Sequence, residues 1–303
     1  MKVSLVATVK DAGEHVGEFL ASVRAQTRPP DEVVIADGGS TDGTLETLRG
    51  ATEVTLIEAP GANIARGRNL AVRAATHDVI AVSDGDCVLA PEWLERLVSA
   101  LEGGAQVASG YYKPISSTFF QTCSAAVSIP HPEEVDGDSF LPSARSVAFR
   151  REVFDEAGGY PEWLDIGEDM FLNHRMRAAG VRMDFVPQAI AFWRVRPTLG
   201  STWRQYFRYA EGDGISGMYP ERHALRFATY GLAAYAGLRK RPLLSLAVLA
   251  AAAVYARPRV RRAQRSLGHP RERAAAAAAV PGLMLLSDLA KMAGYISGLL
   301  RRR

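Results

Sequence analysis

Short apolar runs alternate with amphipathic, helix-like segments through the first 110 residues of this 303-residue chain. Four of the runs are rich in β-branched residues, which is typical of strands buried in a parallel sheet. They lie at residues 3–7, 33–36, 54–57 and 79–82. This alternation predicts βαβ units, and therefore an α/β fold with a mostly parallel, Rossmann-like sheet flanked by helices. Ligands of such sheets bind beyond the carboxyl ends of the strands, so the residues that follow each strand are the first candidates for a functional site.

Three groups of acidic residues stand at predicted strand ends or helix starts. Asp37 follows the second strand and precedes a glycine-rich turn. Its carboxylate can accept hydrogen bonds from a ribose or base, and the alternative is a plain turn in which Asp42 or Thr41 caps the next helix. Asp84 and Asp86 follow the fourth strand, where two carboxylates can bind one hard cation, although acidic turns of this kind are common. Glu168 and Asp169 open a predicted helix, whose dipole favours an ionised carboxylate able to accept a proton.

Four arginines are candidates for binding phosphate oxygens, which suit the arginine fork. Arg66 and Arg68 lie on either side of a glycine, directly before Asn69. Arg204 and Arg208 lie in an aromatic stretch further along the chain. Scattered arginines are more often surface charges, so each of these positions has that alternative.

The ordered set of motifs is more specific than any one of them. Residues 33–44, VVIADGGSTDGT, resemble the first signature of glycosyltransferase family 2. The later motifs follow in that family's order: ARGRN at 65–69, DGD at 84–86, FRR at 149–151, GGY at 158–160 and GED at 167–169. The resemblance covers about residues 1–215. It implies a GT-A fold, a nucleoside-diphosphate sugar as donor and an inverting transfer to an acceptor hydroxyl.

The resemblance also implies roles for individual residues. Asp169 would be the base that deprotonates the acceptor, and Glu168 would orient it or contact the acceptor. Asp86 would ligate Mg²⁺ or Mn²⁺, with Asp84 nearby as a second metal ligand. Asp37 and Asp42 would hold the nucleoside. The whole expected donor-binding set consists of Thr8, Asp37, Asp42, Arg66, Asn69, Asp84, Asp86, Arg204 and Arg208.

Two features differ from the family's usual pattern. The pair of acidic residues that normally precedes the glycine is here Ala36-Asp37, so one nucleoside contact is expected to be missing or replaced. Residues 203–209 resemble only loosely the Gln-x-x-Arg-Trp motif of the family's processive polysaccharide synthases. We therefore expect a non-processive enzyme that transfers a single sugar.

Two other classes of function compete with a transferase. A nucleotide-dependent oxidoreductase would carry Gly-x-Gly-x-x-Gly after its first strand, but residues 8–13 contain one glycine. A catalytically inactive, membrane-bound scaffold that binds nucleotide sugars is the second alternative. The presence of Asp84, Asp86 and Asp169 argues against an inactive site.

The C-terminal part of the chain differs in charge and hydropathy from the rest. Residues 221–303 carry 16 Lys or Arg and 3 Asp or Glu, whereas residues 1–220 carry 20 and 30. We expect a catalytic domain at 1–220 and a helical, basic appendage at 221–303. Long apolar runs interrupt the basic stretches, so the expected partner is an anionic membrane surface and not nucleic acid. This appendage is the only basis for expecting a lipid-linked or envelope glycan as acceptor.

The apolar runs of the appendage favour helices that lie at a membrane interface. Residues 242–256 are uncharged and flanked by basic runs, but they are fewer than the roughly 20 that a spanning helix needs. Residues 274–300 are long enough to cross, but Asp288 and Lys291 make crossing costly unless they face protein. Spanning is left open, and a soluble appendage packed on protein is the alternative. The chain opens without a leader-like segment, so we expect the cytoplasmic face of the cell membrane.

Overall fold

Residues 1–302, which the computed structural model describes, contain one eight-stranded sheet. The strands are β1 (Val3–Val9), β2 (Glu32–Asp37), β3 (Val54–Glu58), β4 (Val79–Asp84), β5 (Val88–Leu89), β6 (Val107–Ile115), β7 (Val147–Arg150) and β8 (Met183–Arg194). Their order across the sheet is β3-β2-β1-β4-β7-β6-β8-β5. The first four strands pair in parallel, as do β6 and β8, whereas β7 and β5 pair antiparallel with their neighbours. The sheet is therefore mixed, and the four apolar runs of the sequence form its parallel half.

Helices make up much of the rest of the described residues. They are α1 (His15–Arg24), α2 (Thr44–Arg49), α3 (Ile64–Ala74), α4 (Trp93–Glu102), α5 (Phe119–Ser128), α6 (Arg151–Glu156), α7 (Glu168–Ala178), α8 (Leu199–Ser216), α9 (Pro220–Leu238), α10 (Pro242–Ser266) and α11 (Pro270–Arg301), with a 3-10 turn at Pro132–Glu134. Val6 and Ile80 belong to a core cluster that includes side chains of α3, α6 and α7. Leu5 and Ile35 point to the opposite face of the sheet and are equally buried. Both faces of the parallel half are thus covered, which confirms the predicted α/β class.

The described residues form two compact units. The first combines Met1–Ile115 with Pro132–Arg194 and holds the whole sheet. The second combines Ser116–His131 with the residues from Val195 onward and consists of α5 and α8 to α11. The predicted boundary at residue 220 concerns which residues serve catalysis, and it stays a prediction.

Residues 111–146 show little hydrophobic periodicity in the sequence, yet they contain regular structure. The second half of β6 and the ten-residue helix α5 lie in this region. Thr118 caps α5 by accepting a hydrogen bond from the N–H of Gln121 at 3.2 Å. The buried residues of α5 are small, among them Cys123 and Ala126, and small side chains give a weak hydrophobic period.

The register of the sheet brings the predicted acidic strand ends to one edge. Thr8 of β1 pairs with Ala36 of β2 on one side and with Asp84 of β4 on the other. The next residue of β1, Val9, pairs with Asp37. Asp37 and Asp84 therefore stand at the same carboxyl edge, with one strand between them and roughly 10 Å apart by the usual strand spacing.

Helices α8 and α11 pack with their backbones in contact in the second unit. A Cβ atom added at Gly294 would lie 2.0 Å from the carbonyl oxygen of Phe207. One added at Gly298 would lie 2.2 Å from that of Glu211. Glycine at both positions removes the side chain that would otherwise hold these two helices apart.

The charges within the apolar length of α11 face protein. Asp288 accepts hydrogen bonds from Nε of Arg226 at 2.9 Å and from the hydroxyl of Tyr230 at 3.0 Å. The ammonium of Lys291 lies 4.5 Å from the ring centre of Tyr206. By length and composition, α10 and α11 are both long and apolar enough to cross a membrane. Of the 18 most apolar consecutive residues, 6% are buried in α10 and 28% in α11.

Replacing Gly294 with alanine should lower the free energy of unfolding by about 1–3 kcal/mol, because the added methyl overlaps backbone atoms that cannot rotate away. Gly282→Ala in the same helix is the matched control, since nothing lies within 4 Å of the Cβ added there. That control should gain roughly 0.5–1 kcal/mol from the better helix propensity of alanine. Thermal unfolding followed by circular dichroism compares the two variants. Equal melting temperatures would show that the close approach of α8 and α11 is not required.

Candidate active site

The fourth strand ends in an acidic turn that is pressed against β1. Gly85 lies between Asp84 and Asp86, and its N–H donates to the carbonyl oxygen of Thr8 at 3.2 Å. A Cβ atom at Gly85 would lie only 2.0 Å from Cγ1 of Val9, so this position has no room for a side chain. The close approach holds the carboxylates of Asp84 and Asp86 within 4.8 Å of each other.

Arg68 of α3 joins this acidic turn to the start of α7. Its side chain is 2% exposed. One amino nitrogen donates to Oδ1 of Asp84 at 2.5 Å, and the other donates to the carboxylate of Glu168. The guanidinium carbon lies 5.4 Å from the ring centre of Tyr160. Because Asp84 ends β4 and Glu168 opens α7, this buried bridge holds the helix start against the strand end.

Burial and charge together set the ionisation of this cluster. Burial raises the pKa of Glu168 to about 7; the charge of Arg68 opposes this shift and that of Asp169 adds to it. Burial alone would lower the pKa of Arg68, but Asp84 and Glu168 raise it above its ordinary value. Burial also raises the pKa of Tyr160, so its phenol stays protonated. Arg68 is therefore a permanent positive charge around which the carboxylates gather.

Backbone groups hold both carboxylate oxygens of Asp169. Oδ1 accepts a hydrogen bond from the N–H of Met170 at 2.8 Å, and Oδ2 accepts one from the N–H of Ala144 at 3.2 Å. Gly167 precedes the helix with a φ of +87°, a left-handed conformation that favours glycine. The side chain of Asp169 is half-buried. A carboxylate oriented in this way can accept a proton from a hydroxyl group.

Arg145 places a second guanidinium beside the acidic turn. Its Nε atom lies 3.6 Å from Oδ2 of Asp84. The guanidinium carbon lies 4.6 Å from the ring centre of Trp193 and 5.4 Å from that of Tyr112, a cation–π arrangement that orients the fork. The segment that carries Arg145 also contains Ala144, whose N–H binds the carboxylate at the start of α7.

Asp37 organises the glycine-rich turn after β2. It is 1% exposed, and its Oδ1 atom accepts hydrogen bonds from the N–H groups of Gly39 and Ser40, both at 2.9 Å. Its Oδ2 atom accepts a hydrogen bond from the hydroxyl of Ser40 at 2.5 Å. Gly39 has a φ of +91°, a conformation that residues other than glycine rarely adopt. The carboxylate thus shapes the turn, and its contact with a nucleoside stays a prediction.

The other expected donor-binding residues of the first unit have different surroundings. Asp42 is exposed, and the hydroxyl of Thr44, which donates to it at 2.6 Å, lowers its pKa. Arg66 is exposed on the first turn of α3. The buried amide of Asn69 donates to the carbonyl of Tyr160 at 2.8 Å and accepts from the N–H of the same residue at 3.0 Å. Asn69 therefore anchors the GGY motif against α3.

Six of the predicted residues gather at one edge of the sheet, at the carboxyl ends of β1, β2 and β4 and at the start of α7. They are Thr8, Asp37, Asp84, Asp86, Glu168 and Asp169. Arg66 and Asn69 lie on the adjoining helix α3. Arg204 and Arg208 are exposed on α8 in the second unit, and their contact with a donor stays a prediction.

Comparison with known proteins identifies the family. The family described as "Glycosyl transferase family 2" matches residues 4–156, about half of the chain. The chain belongs to glycosyltransferase family 2. It is 27% identical to the glycosyltransferase AglE of Haloferax volcanii over 222 residues, which cover 70% of this chain and 72% of that protein. It is 25% identical to the O-antigen chain rhamnosyltransferase RfbN of Salmonella typhimurium over 223 residues, which cover 68% and 71%.

Solved structures of glycosyltransferases share the fold. The mannosyltransferase PcManGT from Pyrobaculum calidifontis, in complex with GDP-Man and Mn²⁺, has a TM-score of 0.61 and 20% identity, and the match covers 100% of this chain and 88% of that one. TarS of S. aureus in complex with UDP-GlcNAc has a TM-score of 0.54 and 15% identity, with 95% and 91% covered. These likenesses confirm the predicted GT-A fold, and the family match and the relatives confirm that the protein is a glycosyltransferase.

Arg68 is one of the four arginines singled out in the sequence of this glycosyltransferase, but its observed partners are carboxylates and it is absent from the expected donor-binding set. The expected donor-binding set contains Arg66, whereas the arginine that enters the acidic cluster is Arg68. A signal for it exists, because Arg68 lies three residues after Ala65 and four before Val72, on the buried face of α3. Arg145 offers no such signal, since it lies in a segment without a helical or strand period and reaches the acidic turn only through the tertiary fold.

The acidic turn fits a hard divalent cation. Asp84, Asp86 and Cys87 form a group of three potential ligands. Burial raises the pKa of the Cys87 thiol, and the two carboxylates raise it further. Sulfur is also a soft ligand, which suits Mg²⁺ and Mn²⁺ less well than oxygen does. Carboxylate oxygens are ligands that Mg²⁺ and Mn²⁺ prefer. Arg68 and Arg145 both lie against Asp84, so a cation bound at this turn would share that carboxylate with two guanidinium groups.

Replacing Arg68 with glutamine should lower the free energy of unfolding by about 3–5 kcal/mol, because two largely buried carboxylates lose their common cation. The matched control is Arg66→Gln, which changes an exposed arginine on the same helix and should alter stability by less than about 0.5 kcal/mol. Urea unfolding monitored by tryptophan fluorescence gives both values. A loss below about 1 kcal/mol for Arg68→Gln would show that this bridge does not hold the elements together.

Proposed function

We propose that this glycosyltransferase moves one sugar from a nucleoside-diphosphate sugar to an acceptor hydroxyl, with inversion at the anomeric carbon. Mg²⁺ or Mn²⁺ would bind at Asp86 and Asp84. The observation that carries the proposal is the buried bridge from Glu168 through Arg68 to Asp84. It ties the helix start that bears Asp169 to the strand end that bears Asp86. A candidate base and a candidate cation site are thus built on two rigid elements joined by one side chain.

Asp169 is the proposed base of the transfer. Its carboxylate takes the proton of the acceptor hydroxyl while the acceptor oxygen forms a bond to the anomeric carbon. The bond from that carbon to the diphosphate oxygen breaks, and the nucleoside diphosphate leaves with the electron pair. Inversion follows because the acceptor enters opposite the leaving group. Glu168, whose carboxylate is engaged by Arg68, positions Asp169 and is not proposed to take the proton itself.

The proposed donor site retains the residues expected from the sequence. A divalent cation, when bound, supplies positive charge against the charge that develops on the leaving diphosphate. The two similar structures are complexes with GDP-Man and Mn²⁺ and with UDP-GlcNAc, which supports a donor of this chemical class. The nucleoside and phosphate contacts are assigned, as proposals, to Thr8, Asp37, Asp42, Arg66, Asn69, Arg204 and Arg208.

A glycan or lipid-linked acceptor and a place at the cytoplasmic face of the membrane complete the proposal. The names of relatives support the acceptor class: one is the O-antigen chain rhamnosyltransferase RfbN, and another is the succinoglycan biosynthesis protein ExoA of Rhizobium meliloti, 28% identical over 225 residues. The apolar helices α10 and α11 support association with a membrane. Cys87 and Cys123 are free thiols, which fits a reducing compartment.

Asp169→Asn should retain donor binding and lower kcat by about 10²–10⁴-fold, because the amide fills the same space but cannot accept the proton. Transfer is measured with a labelled nucleotide sugar and donor binding by calorimetry. Asp155→Asn, which changes an exposed acidic residue of α6, is the control and should keep full activity. Unchanged transfer by Asp169→Asn would remove this residue as the base. A wild-type protein that binds donor without transferring it would favour the inactive scaffold instead.

Asp86→Ala should abolish the part of donor binding that depends on metal. With Mn²⁺ and nucleoside diphosphate at about 100 times the dissociation constant, the wild-type protein should gain roughly 2.7 kcal/mol of stability, and a chelator should remove this gain. The variant should show no difference with and without Mn²⁺, while Asp155→Ala should behave as wild type. A metal-dependent rise in melting temperature that survives in Asp86→Ala would place the cation elsewhere.

A further inference from the structure

An exposed apolar surface runs along α9 and the first half of α10. These two consecutive helices present large apolar side chains that are 47–83% exposed: Leu232, Tyr235, Leu238, Leu243, Leu246 and Leu249. We call these six residues the α9–α10 face. Soluble proteins seldom expose apolar side chains in such number along adjacent elements unless the surface binds something.

Helix α10 has two halves with different surroundings. Beyond Ala256 it packs into the second unit, where Ala263 and Leu267 belong to a buried cluster with Cys123 of α5. Residues 242–255 contain no buried side chain, although they are uncharged throughout. A helix that is apolar on all sides is normally found inside a protein core or in contact with lipid. The first half of α10 is not enclosed by a protein core in this unit.

The stretch of chain that carries the α9–α10 face has charged residues of one sign. No Asp or Glu occurs between Glu221 and Glu272, whereas this stretch contains 11 Lys or Arg. Three of these basic residues form the exposed turn at 239–241 between the two helices, and Arg257 follows the apolar half of α10. Both ends of the apolar stretch are therefore basic, as suits contact with anionic headgroups.

Helix α11 is also long and apolar enough to cross a membrane, but it packs against other helices of the second unit. Its Gly294 and Gly298 lie against the backbone of α8, and its Asp288 is bonded to Arg226 of α9. It is the central helix of the second unit. The apolar half of α10 has no comparable partner, so α10 and the exposed side of α9 are the better lipid contact.

We infer that the α9–α10 face binds the surface of a bilayer that contains anionic lipids. This inference rests on the membrane location given in the proposed function and names the part of the chain responsible. Residues 242–256 measure about 22 Å as a helix, which is short of the roughly 30 Å hydrocarbon core. With basic groups at both ends, this segment lies along one leaflet. Anionic headgroups complement the basic residues 239–241, whereas the same face of a second copy has no acidic residue between Glu221 and Glu272 to pair with them.

Sedimentation of the full-length protein with lipid vesicles tests the inference. Vesicles of phosphatidylcholine with one third phosphatidylglycerol should bind the wild-type protein about tenfold or more tightly than pure phosphatidylcholine. The triple variant Leu243→Ser, Leu246→Ser, Leu249→Ser should bind the mixed vesicles about tenfold or more weakly, since it removes apolar contact area. The triple variant Arg239→Gln, Lys240→Gln, Arg241→Gln should lose the preference for anionic vesicles. All six side chains are exposed, so folding is expected to be retained.

The control is the double variant Leu285→Ser, Leu289→Ser on α11, whose side chains are 47% and 42% exposed. It should bind vesicles as the wild type does. Release by this variant but not by the α10 variant would overturn the inference in favour of α11. A wild-type dimer that becomes monomeric in the α10 variant, with vesicle binding unchanged, would make the face a contact between copies and would also overturn it.

Donor binding measured on the same variants separates this inference from the proposed reaction. Loss of vesicle binding together with retained binding of nucleotide sugar supports the α9–α10 face as a membrane surface. A wild-type protein that transfers sugar but binds neither kind of vesicle would refute the inference and leave the proposed reaction standing.

Discussion

Arg68 is a buried positive charge, and the ion pairs that stabilise it also fix the geometry of the candidate site. Moving a guanidinium out of water is costly unless its charge is paired, and Asp84 and Glu168 each accept a hydrogen bond from one amino group, while the buried Nε has no hydrogen-bond partner. Only arginine has two separated donors in a rigid fork, so one side chain can join two elements at once. The carboxylates depend on the cation in turn, since each would be a poorly solvated negative charge without it. The bridge therefore specifies the position of α7 relative to β4 as much as it contributes to stability.

Close backbone approach is the second constraint at this edge of the sheet. A Cβ at Gly67, the residue before Arg68, would lie 3.0 Å from Cγ2 of Thr8, so α3 sits close over the end of β1. Gly85 lets the acidic turn approach the same strand from the other side. The two glycines bring a helix and a turn within reach of one guanidinium. The arrangement of charged groups at the site therefore depends on glycine at these two positions.

The second unit shows that similar composition leads to different surroundings. Both α10 and α11 are long and apolar, yet α11 is drawn into the unit by its glycines and by the bond between Asp288 and Arg226. The first half of α10 has no close-packing glycines and no acidic side chain, and none of the side chains at 242–255 is buried. Hydropathy measures how unfavourable water is for a segment, but it does not say whether protein or lipid replaces that water.

The sequence by itself determined the α/β class, the four parallel strands, the family and the positions of the acidic residues, because these depend on local periodicity and on what directly follows a strand. It did not determine that Arg68, and not Arg66, enters the cluster, nor that Arg145 reaches Asp84. It also left open whether Asp288 faces protein, and the weak hydrophobic period at 119–128 does not by itself predict the helix found there. Arg68 and Glu168 are 100 residues apart in the chain. Only the tertiary structure decides contacts of that kind, because they arise when separately formed elements pack and one buried charge selects its partners from those within reach.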